Sequence, residues 1–450
     1  MLTGLARDGG LYVPETWPRF SPQEIAALAG LDYAEVAYRV TRPFIGEALE
    51  SGTYRALVEQ TYAVFTHGAV APLVELAPNH WLMELFHGPT LAFKDYAMQL
   101  LGNLFNHVLR ARGRRVTIIG ATSGDTGSAA IAACRGREAM DIFILFPKGR
   151  VSDVQRRQMT TVDDANVHAI AIDGTFDDCQ ALLKDMFNDH GFRDEVAMSG
   201  VNSINWARIL GQIVYYFVAA AALGAWDRKI AFAVPTGNFG NIYAGYAARK
   251  MGLPISHLVL ATNANDILSN LLATGTMRRG AVHASLSPSM DIQVASNFER
   301  YLFDLLGGDG ARVAQTMAAY QDTGELTLSA DALSAARDVF TGFRLDDAGT
   351  LEEIARRYDA AGALLDPHSA IGVAAGAAKR FEASVPMVSL ATAHPAKFPG
   401  AVEQATGIRP PLPAHLADLM ERTERFDVLA NDLAAVQGFV RDRLAERQVA

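Results

Sequence analysis

The run Phe86-His87-Gly88-Pro89-Thr90-Leu91-Ala92-Phe93-Lys94-Asp95 sets a lysine just ahead of a segment whose apolar residues Met98, Leu101, Phe105 and Val108 recur at helical spacing. A lysine in the first turn of a helix lies near the positive end of the dipole, and Leu91 and Phe93 would desolvate it. Both effects disfavour the ammonium form, which suits an amine that must form a Schiff base. The competing reading of any single lysine is a solvated surface residue.

Two glycine-rich turns follow predicted strands. Ala121-Thr122-Ser123-Gly124-Asp125-Thr126-Gly127-Ser128 can turn backbone N–H groups toward an anion at a helix N-terminus, with hydroxyls as further donors. Its spacing matches neither the dinucleotide fingerprint nor the P-loop. A carboxylate or a phosphate suits it, and the competing reading is a tight turn capped by Asp125 or Thr126. Pro235-Thr236-Gly237-Asn238-Phe239-Gly240-Asn241 contains no basic residue, so a phosphate there would rest on backbone donors and the helix dipole. An ordinary Asn/Gly turn is the alternative.

After the last predicted strand, Thr392 stands where a ligand-facing side chain sits in an open α/β sheet, and His394 precedes a proline and reads as structural. Asn205 and Arg208 open a long apolar helix. Ser152, Gln155, Arg156 and Arg157 gather hydroxyl, amide and guanidinium groups after a strand, as a binding cluster or a solvated helix face. Asp366-Pro367-His368-Ser369 reads as the cap of an alanine-rich helix.

These segments need a scaffold. The first eighty residues read as helical, with Ser21-Pro22-Gln23-Glu24 as a helix entry. From about residue 114, β-branched apolar runs (116–119, 142–146, 167–172) alternate with helix-period segments. After a long helix at 206–223 the alternation resumes with runs at 230–234, 258–261 and 387–391. Residues 298–365 read as an inserted helical region and the tail from Leu416 as amphipathic helix. The fold class is therefore α/β, with two parallel sheets and a ligand site expected between them at strand C-terminal ends. The domain reading is 1–80 N-terminal and mostly helical, 81–113 with 206–400 a larger α/β domain, 114–205 a smaller one, and 401–450 a helical tail.

The 450 residues are half hydrophobic with a formal charge of -9, which excludes a disordered chain and gives no basic stripe for nucleic acid. Cys134 and Cys179 are too few for a disulfide framework or a cysteine metal site and read as idle thiols. No apolar run is long enough to span a membrane and no signal-peptide core is visible, so the expectation is cytoplasmic, with no metal.

In combination the segments resemble the bacterial and fungal class of threonine synthases. The resemblance covers nearly the whole chain. It includes Leu5–Pro14, the Phe86–Asp95 lysine run, the Ser123–Gly127 loop, Gln158-Met159-Thr160-Thr161, Asn202–Arg208, Gly237–Asn241, Ser287–Ile292, Asp366-Pro367-His368 and Thr392–Phe398. Such a chain is expected to have the tryptophan-synthase β-subunit-like fold (fold type II), two parallel-sheet domains with pyridoxal 5'-phosphate (PLP) at their interface and N-terminal, inserted and C-terminal helices. The resemblance implies that Lys94 carries PLP as a Schiff base. It further implies that Gly237, Asn238, Phe239, Gly240 and Asn241 hold the cofactor phosphate and that Thr392 faces the pyridine nitrogen. Ser123, Gly124, Asp125 and Thr126 would take the substrate carboxylate, and Ser152, Gln155, Asn205 and Arg208 the substrate phosphate. The implied reaction turns O-phospho-L-homoserine and water into L-threonine and phosphate, in a monomer or homodimer without nucleic-acid or membrane partners. Family members generally carry a further stretch, with a strand, ahead of the Gly-Leu-Ala-x-Asp-Gly-Gly run, whereas this sequence starts at Met1-Leu2-Thr3. The rival readings are a same-fold lyase releasing 2-oxobutyrate (a threonine/serine dehydratase or a phosphohomoserine phospho-lyase) and a non-catalytic PLP-binding module.

Overall fold

The structure, a computed structural model, describes residues 4, 6, 8–200 and 204–449. Leu5 and Arg7 of the N-terminal run, and Asn202 and Ser203 of the Asn202–Arg208 segment, lie outside the described residues. The chain divides into two compact units. One comprises Leu5–Phe93 with Ser203–Pro410; the other comprises Lys94–Asn202 with Pro411–Ala450 and a few N-terminal residues.

The larger unit is built on a six-stranded sheet in the order 73–77, 80–84, 387–391, 230–235, 255–262, 340–344. Every neighbouring pair is parallel except the first, an antiparallel hairpin whose turn residue Asn79 has φ +56°. The central strands Ile230–Pro235 and Met387–Ala391 are buried along their whole length, as expected of a parallel sheet covered on both faces. Helix Pro367–Ala378 packs on one face, and Gly372 and Gly376 allow the approach: an added Cβ would meet Pro235 Cγ at 2.8 Å and Ser389 Oγ at 2.4 Å. The first helix opens on a capping box, Ser21 with Glu24, as its sequence predicts.

The smaller unit has a five-stranded parallel sheet in the order 427–430, 167–173, 140–147, 116–121, 198–199. Its core joins Ile119, Phe143, Leu145, Ile170 and Ile172 to Cys179, Leu182 and Met186 of one helix and to Val436 and Val440 of the tail. Both cysteines are buried, and burial pushes each thiol up to about 12, so neither is a ready thiolate.

The buried strands lie where the apolar runs put them, and the corrections fall mostly at sheet edges. The helical reading of residues 1–80 misses Leu73–Ala77 and the start of His80–Glu84. The inserted region 298–365 contributes the edge strand Phe340–Arg344 on Ile255–Thr262, and the tail contributes Asp427–Ala430 beside Val167–Asp173. Edge strands bury one side only, so Asp427–Ala430 alternates half-buried and exposed positions and shows no apolar run. Residues 94–113, read with the larger domain, belong to the smaller unit, because helix Lys94–Ala111 packs tightly on Asp125–Cys134. A Cβ at Gly102 would lie 2.4 Å from the Ala133 carbonyl oxygen.

The tail is also clamped by charge. Glu424 accepts Arg156 Nε at 2.8 Å, Arg156 Nη2 at 3.0 Å and Thr160 Oγ1 at 2.8 Å. The Arg156 hydrogen bonds hold its carboxyl below the usual range. A carboxylate with a depressed folded-state pKa contributes stability above its unfolded value, near 4.3, and loses it as pH falls through the folded value. Glu424→Gln is therefore expected to cost about 1–2 kcal/mol at pH 7. In denaturant melts the gap from the parent should close below about pH 4.

Candidate active site

Lys94 is the first residue of its helix and is buried. Its Nζ donates to Asp125 Oδ2 at 3.4 Å, and Asp125 Oδ1 accepts from Gln155 Nε2 at 2.8 Å. Gln155 Oε1 in turn accepts from Ser152 Oγ at 3.0 Å. Four residues singled out by sequence, from three separate segments, thus form one hydrogen-bonded chain inside the smaller unit. To the helix dipole and apolar neighbours read from the sequence, the structure adds a buried carboxylate beside Lys94.

Gly124 explains how the chain closes. Its φ is +144°, and an added Cβ would lie 2.5 Å from the Gln155 amide, so only glycine lets that side chain lie across the turn. The Thr122 hydroxyl accepts from Gly124 N at 3.0 Å and Gly127 N at 2.9 Å and so shapes the loop. Ser123 and Thr126 remain partly exposed at the start of helix Asp125–Cys134. Ser152 caps its own helix, accepting from Gln155 N at 3.3 Å.

The larger unit carries the other predicted residues. Strands Ile230–Pro235 and Met387–Ala391 are parallel neighbours, so the Gly237–Asn241 loop and Thr392 emerge from C-terminal ends on the same side of one sheet. Phe239 has φ +63°, a left-handed conformation uncommon outside glycine, and it caps helix Gly240–Lys250. A Cβ at Gly237 would lie 2.6 Å from the Ser289 carbonyl oxygen. Asn238 O accepts from Asn297 N at 3.0 Å and Nδ2 at 3.2 Å. Asn241 Oδ1 accepts from Tyr215 at 2.5 Å and Tyr216 at 3.1 Å, which aims the amide, yet its buried Nδ2 has no partner among the described residues.

Thr392 is buried. Its N–H donates to Ser369 Oγ at 3.0 Å and its carbonyl accepts from Phe93 N at 2.9 Å. His394 accepts from Ala396 N through Nδ1, in keeping with a structural role.

Asn205 caps helix Trp206–Ala222 by accepting from Ala207 N at 2.9 Å. Arg208, in the first turn, is 4 % exposed, and among the described residues its Nε and Nη1 have no acceptor. Burial brings its pKa down to about 10, which leaves it cationic at neutral pH. A buried unpaired guanidinium is a standing demand for an anion.

Asn297, Arg300 and the Asp366–His368 pair escaped the sequence reading as supports of the site. Arg300 donates to the Tyr12 carbonyl at 2.9 Å and the Ile204 carbonyl at 2.6 Å. Their contacts with Asn238, Tyr12 and Ser289 run to segments distant in sequence, so local spacing shows Asp366 only as a helix cap.

The donor set suits a phosphate-bearing aromatic cofactor. An amide donor without a partner among the described residues and a glycine packed too tightly for any Cβ lie at one strand end, and the buried Thr392 at the next. Among the described residues no group of three or more His, Cys, Asp or Glu side chains could hold a metal, and no helix is long and apolar enough to cross a membrane.

Comparison with known families agrees. Residues 64–393 match the family described as pyridoxal-phosphate dependent enzyme, so the chain is of the PLP-dependent class. Residues 1–62 and 369–440 match the families described as threonine synthase N terminus and threonine synthase, C-terminal. The chain is 57 % identical to threonine synthase of Pseudomonas aeruginosa, over 98 % of this chain and 94 % of that one. It is similar to the crystal structure of PLP-bound threonine synthase from Brucella melitensis, with TM-score 0.96, 54 % identity and coverage of 98 % and 95 %. For yeast threonine synthase the TM-score is 0.94 at 39 % identity, with the same coverage. The chain belongs to the threonine synthase family.

Proposed function

We propose that this chain converts O-phospho-L-homoserine and water into L-threonine and phosphate. The observation that carries the reading is the pairing, in the larger unit, of the Gly237–Asn241 turn, whose Asn241 Nδ2 has no partner among the described residues, with a separate buried cation at Arg208. A reaction joining a phosphate-bearing cofactor to a phosphate-bearing substrate needs two anion sites.

Lys94 would hold PLP covalently at its aldehyde carbon, Gly237–Asn241 its phosphate and Thr392 its ring nitrogen. When bound, PLP supplies an electron sink for negative charge developing beside the substrate α-carbon. A hydroxyl at the ring nitrogen, unlike a carboxylate, does not stabilise a pyridinium, so Thr392 would moderate that sink. Lys94 Nζ, once its amine is free, is the base for the α-proton and then a β-proton, with Asp125 beside it to balance the ammonium charge. The Cγ–O bond breaks and its electron pair leaves with phosphate, which Arg208, with Asn205, Ser152 and Gln155, would receive. Water then adds its hydroxyl at Cβ, and protons return to Cα and Cγ. The Ser123–Thr126 loop at the helix N-terminus would take the substrate carboxylate, with Gly124 N held by Thr122 to shape it.

The deciding assay supplies O-phospho-L-homoserine or L-homoserine to the PLP-loaded protein and follows phosphate and amino-acid products. Equal amounts of phosphate and threonine from the phosphate ester, and no turnover of homoserine, are expected. Release of 2-oxobutyrate and ammonia without threonine would overturn the reading in favour of a lyase of the same fold.

A further inference from the structure

We propose that Asp366 is a positioning residue that holds both cofactor-facing features of the larger unit, the floor of the Gly237–Asn241 loop and Thr392, in one geometry. The inference rests on the reading of those residues as PLP contacts.

Asp366 is fully buried and caps helix Pro367–Ala378. A cap requires only that a carboxylate oxygen accept from the first-turn N–H groups, here His368 N at 2.9 Å and Ser369 N at 3.1 Å. Asp366 does more. Oδ2 also accepts from His368 Nδ1 at 2.7 Å, and Oδ1 accepts from the Ser369 hydroxyl. Each of these side chains relays the orientation onward.

With Nδ1 donating to the carboxylate, His368 presents Nε2 as an acceptor, and it receives Ser289 N at 3.2 Å. Ser289 is the residue whose carbonyl oxygen occupies the space where a Gly237 Cβ would be, so fixing it fixes the floor of the loop. The far end of the same segment is pinned by Asp291, which accepts from Asn263 Nδ2 at 2.7 Å, Asn265 Nδ2 at 3.0 Å and Ser285 Oγ at 2.6 Å. On the other branch, Ser369 Oγ gives its proton to Asp366 and accepts from Thr392 N at 3.0 Å, which sets the backbone from which the Thr392 hydroxyl projects. One carboxylate thus governs two contacts at neighbouring strand ends. Groups that orient the ligands of a bound metal cost about 10–100-fold in affinity when removed, and a loss of that order is expected for these relays.

The test compares D366N, S369A, S369T and H368F as purified apoproteins, with G237A and T392V alongside. PLP dissociation constants, absorption and emission of the bound cofactor, and apoprotein melting are measured. S369A is expected to shift the absorption and emission of bound PLP with little change in affinity, and S369T to restore them. H368F is expected to weaken PLP binding about tenfold or more with the band in place, and D366N to show both effects. Parental affinity and spectrum in S369A and H368F would overturn the relay, and these two decide the matter alone if D366N does not fold. If G237A and T392V also leave both readouts unchanged, the assignment of the cofactor contacts fails. If they change them while the Asp366 group does not, only the relay fails.

Discussion

Replacing Lys94 by alanine is expected to lower turnover by about 10³-fold or more, because one side chain both anchors the cofactor and moves the protons. That loss corresponds to at least about 4 kcal/mol of transition-state stabilisation. The visible absorption of the PLP-loaded protein should vanish with it, and borohydride should no longer fix cofactor to the peptide containing residue 94. Lys94→Arg is not expected to rescue activity, since a guanidinium holds its proton at any working pH. Lys94→Ala also strips a counter-charge from Asp125, a buried carboxylate that accepts from Gln155 as well. The apoprotein should melt earlier, and Asp125→Asn in the same chain should recover part of the loss. A coloured, active Lys94→Ala protein would sink the assignment.

Arg208→Met is expected to move activity and stability in opposite directions. The guanidinium is buried with two nitrogens unpaired among the described residues, so an apolar side chain of similar length relieves a desolvation cost. The cofactor-free protein should gain about 1–3 kcal/mol. Turnover of the phosphorylated substrate should fall by at least about 10²-fold, the scale for a charged partner of a transferring or leaving phosphate. Inorganic phosphate supplies a separate readout. With PLP filling the Gly237–Asn241 site, it should raise the melting temperature of the loaded parent protein by mass action and leave that of loaded Arg208→Met unchanged. A variant that melts earlier than the parent, or still answers to phosphate, would show that Arg208 serves the fold and not an anion.

What the sequence disclosed about the site is what local chemistry constrains. A lysine at a helix start and glycines after predicted strands are legible because the turn itself demands them, as Gly124 at φ +144° shows. Leu91 and Phe239 also adopt positive φ, at +62° and +63°, and nothing in their identity announces it. The buried central strands were legible from apolar runs, whereas Leu73–Ala77, Phe340–Arg344 and Asp427–Ala430 are edges with half-polar faces. The Asp125 partnership with Lys94, the Asn297 grip on Asn238 and the onward bonds of Asp366 depend on segments far apart in the chain. Asp366 read correctly as a cap, since that role needs only its own next three residues.

The smaller sheet closes on a strand that is synthesised late. Asp427–Ala430 pairs with Ile170–Asp173, and Val436 and Val440 fill the core that Phe143 and Ile172 begin. Four strands of this unit are made early, yet one edge and part of their apolar cover emerge from the ribosome only after the whole larger unit. A nascent chain therefore carries an open strand edge through much of translation, the kind of surface that pairs with other chains. Loop closure over so long an intervening segment also slows the final docking. Expression yield should depend on the tail more steeply than the distance of those residues from Lys94 in sequence would suggest.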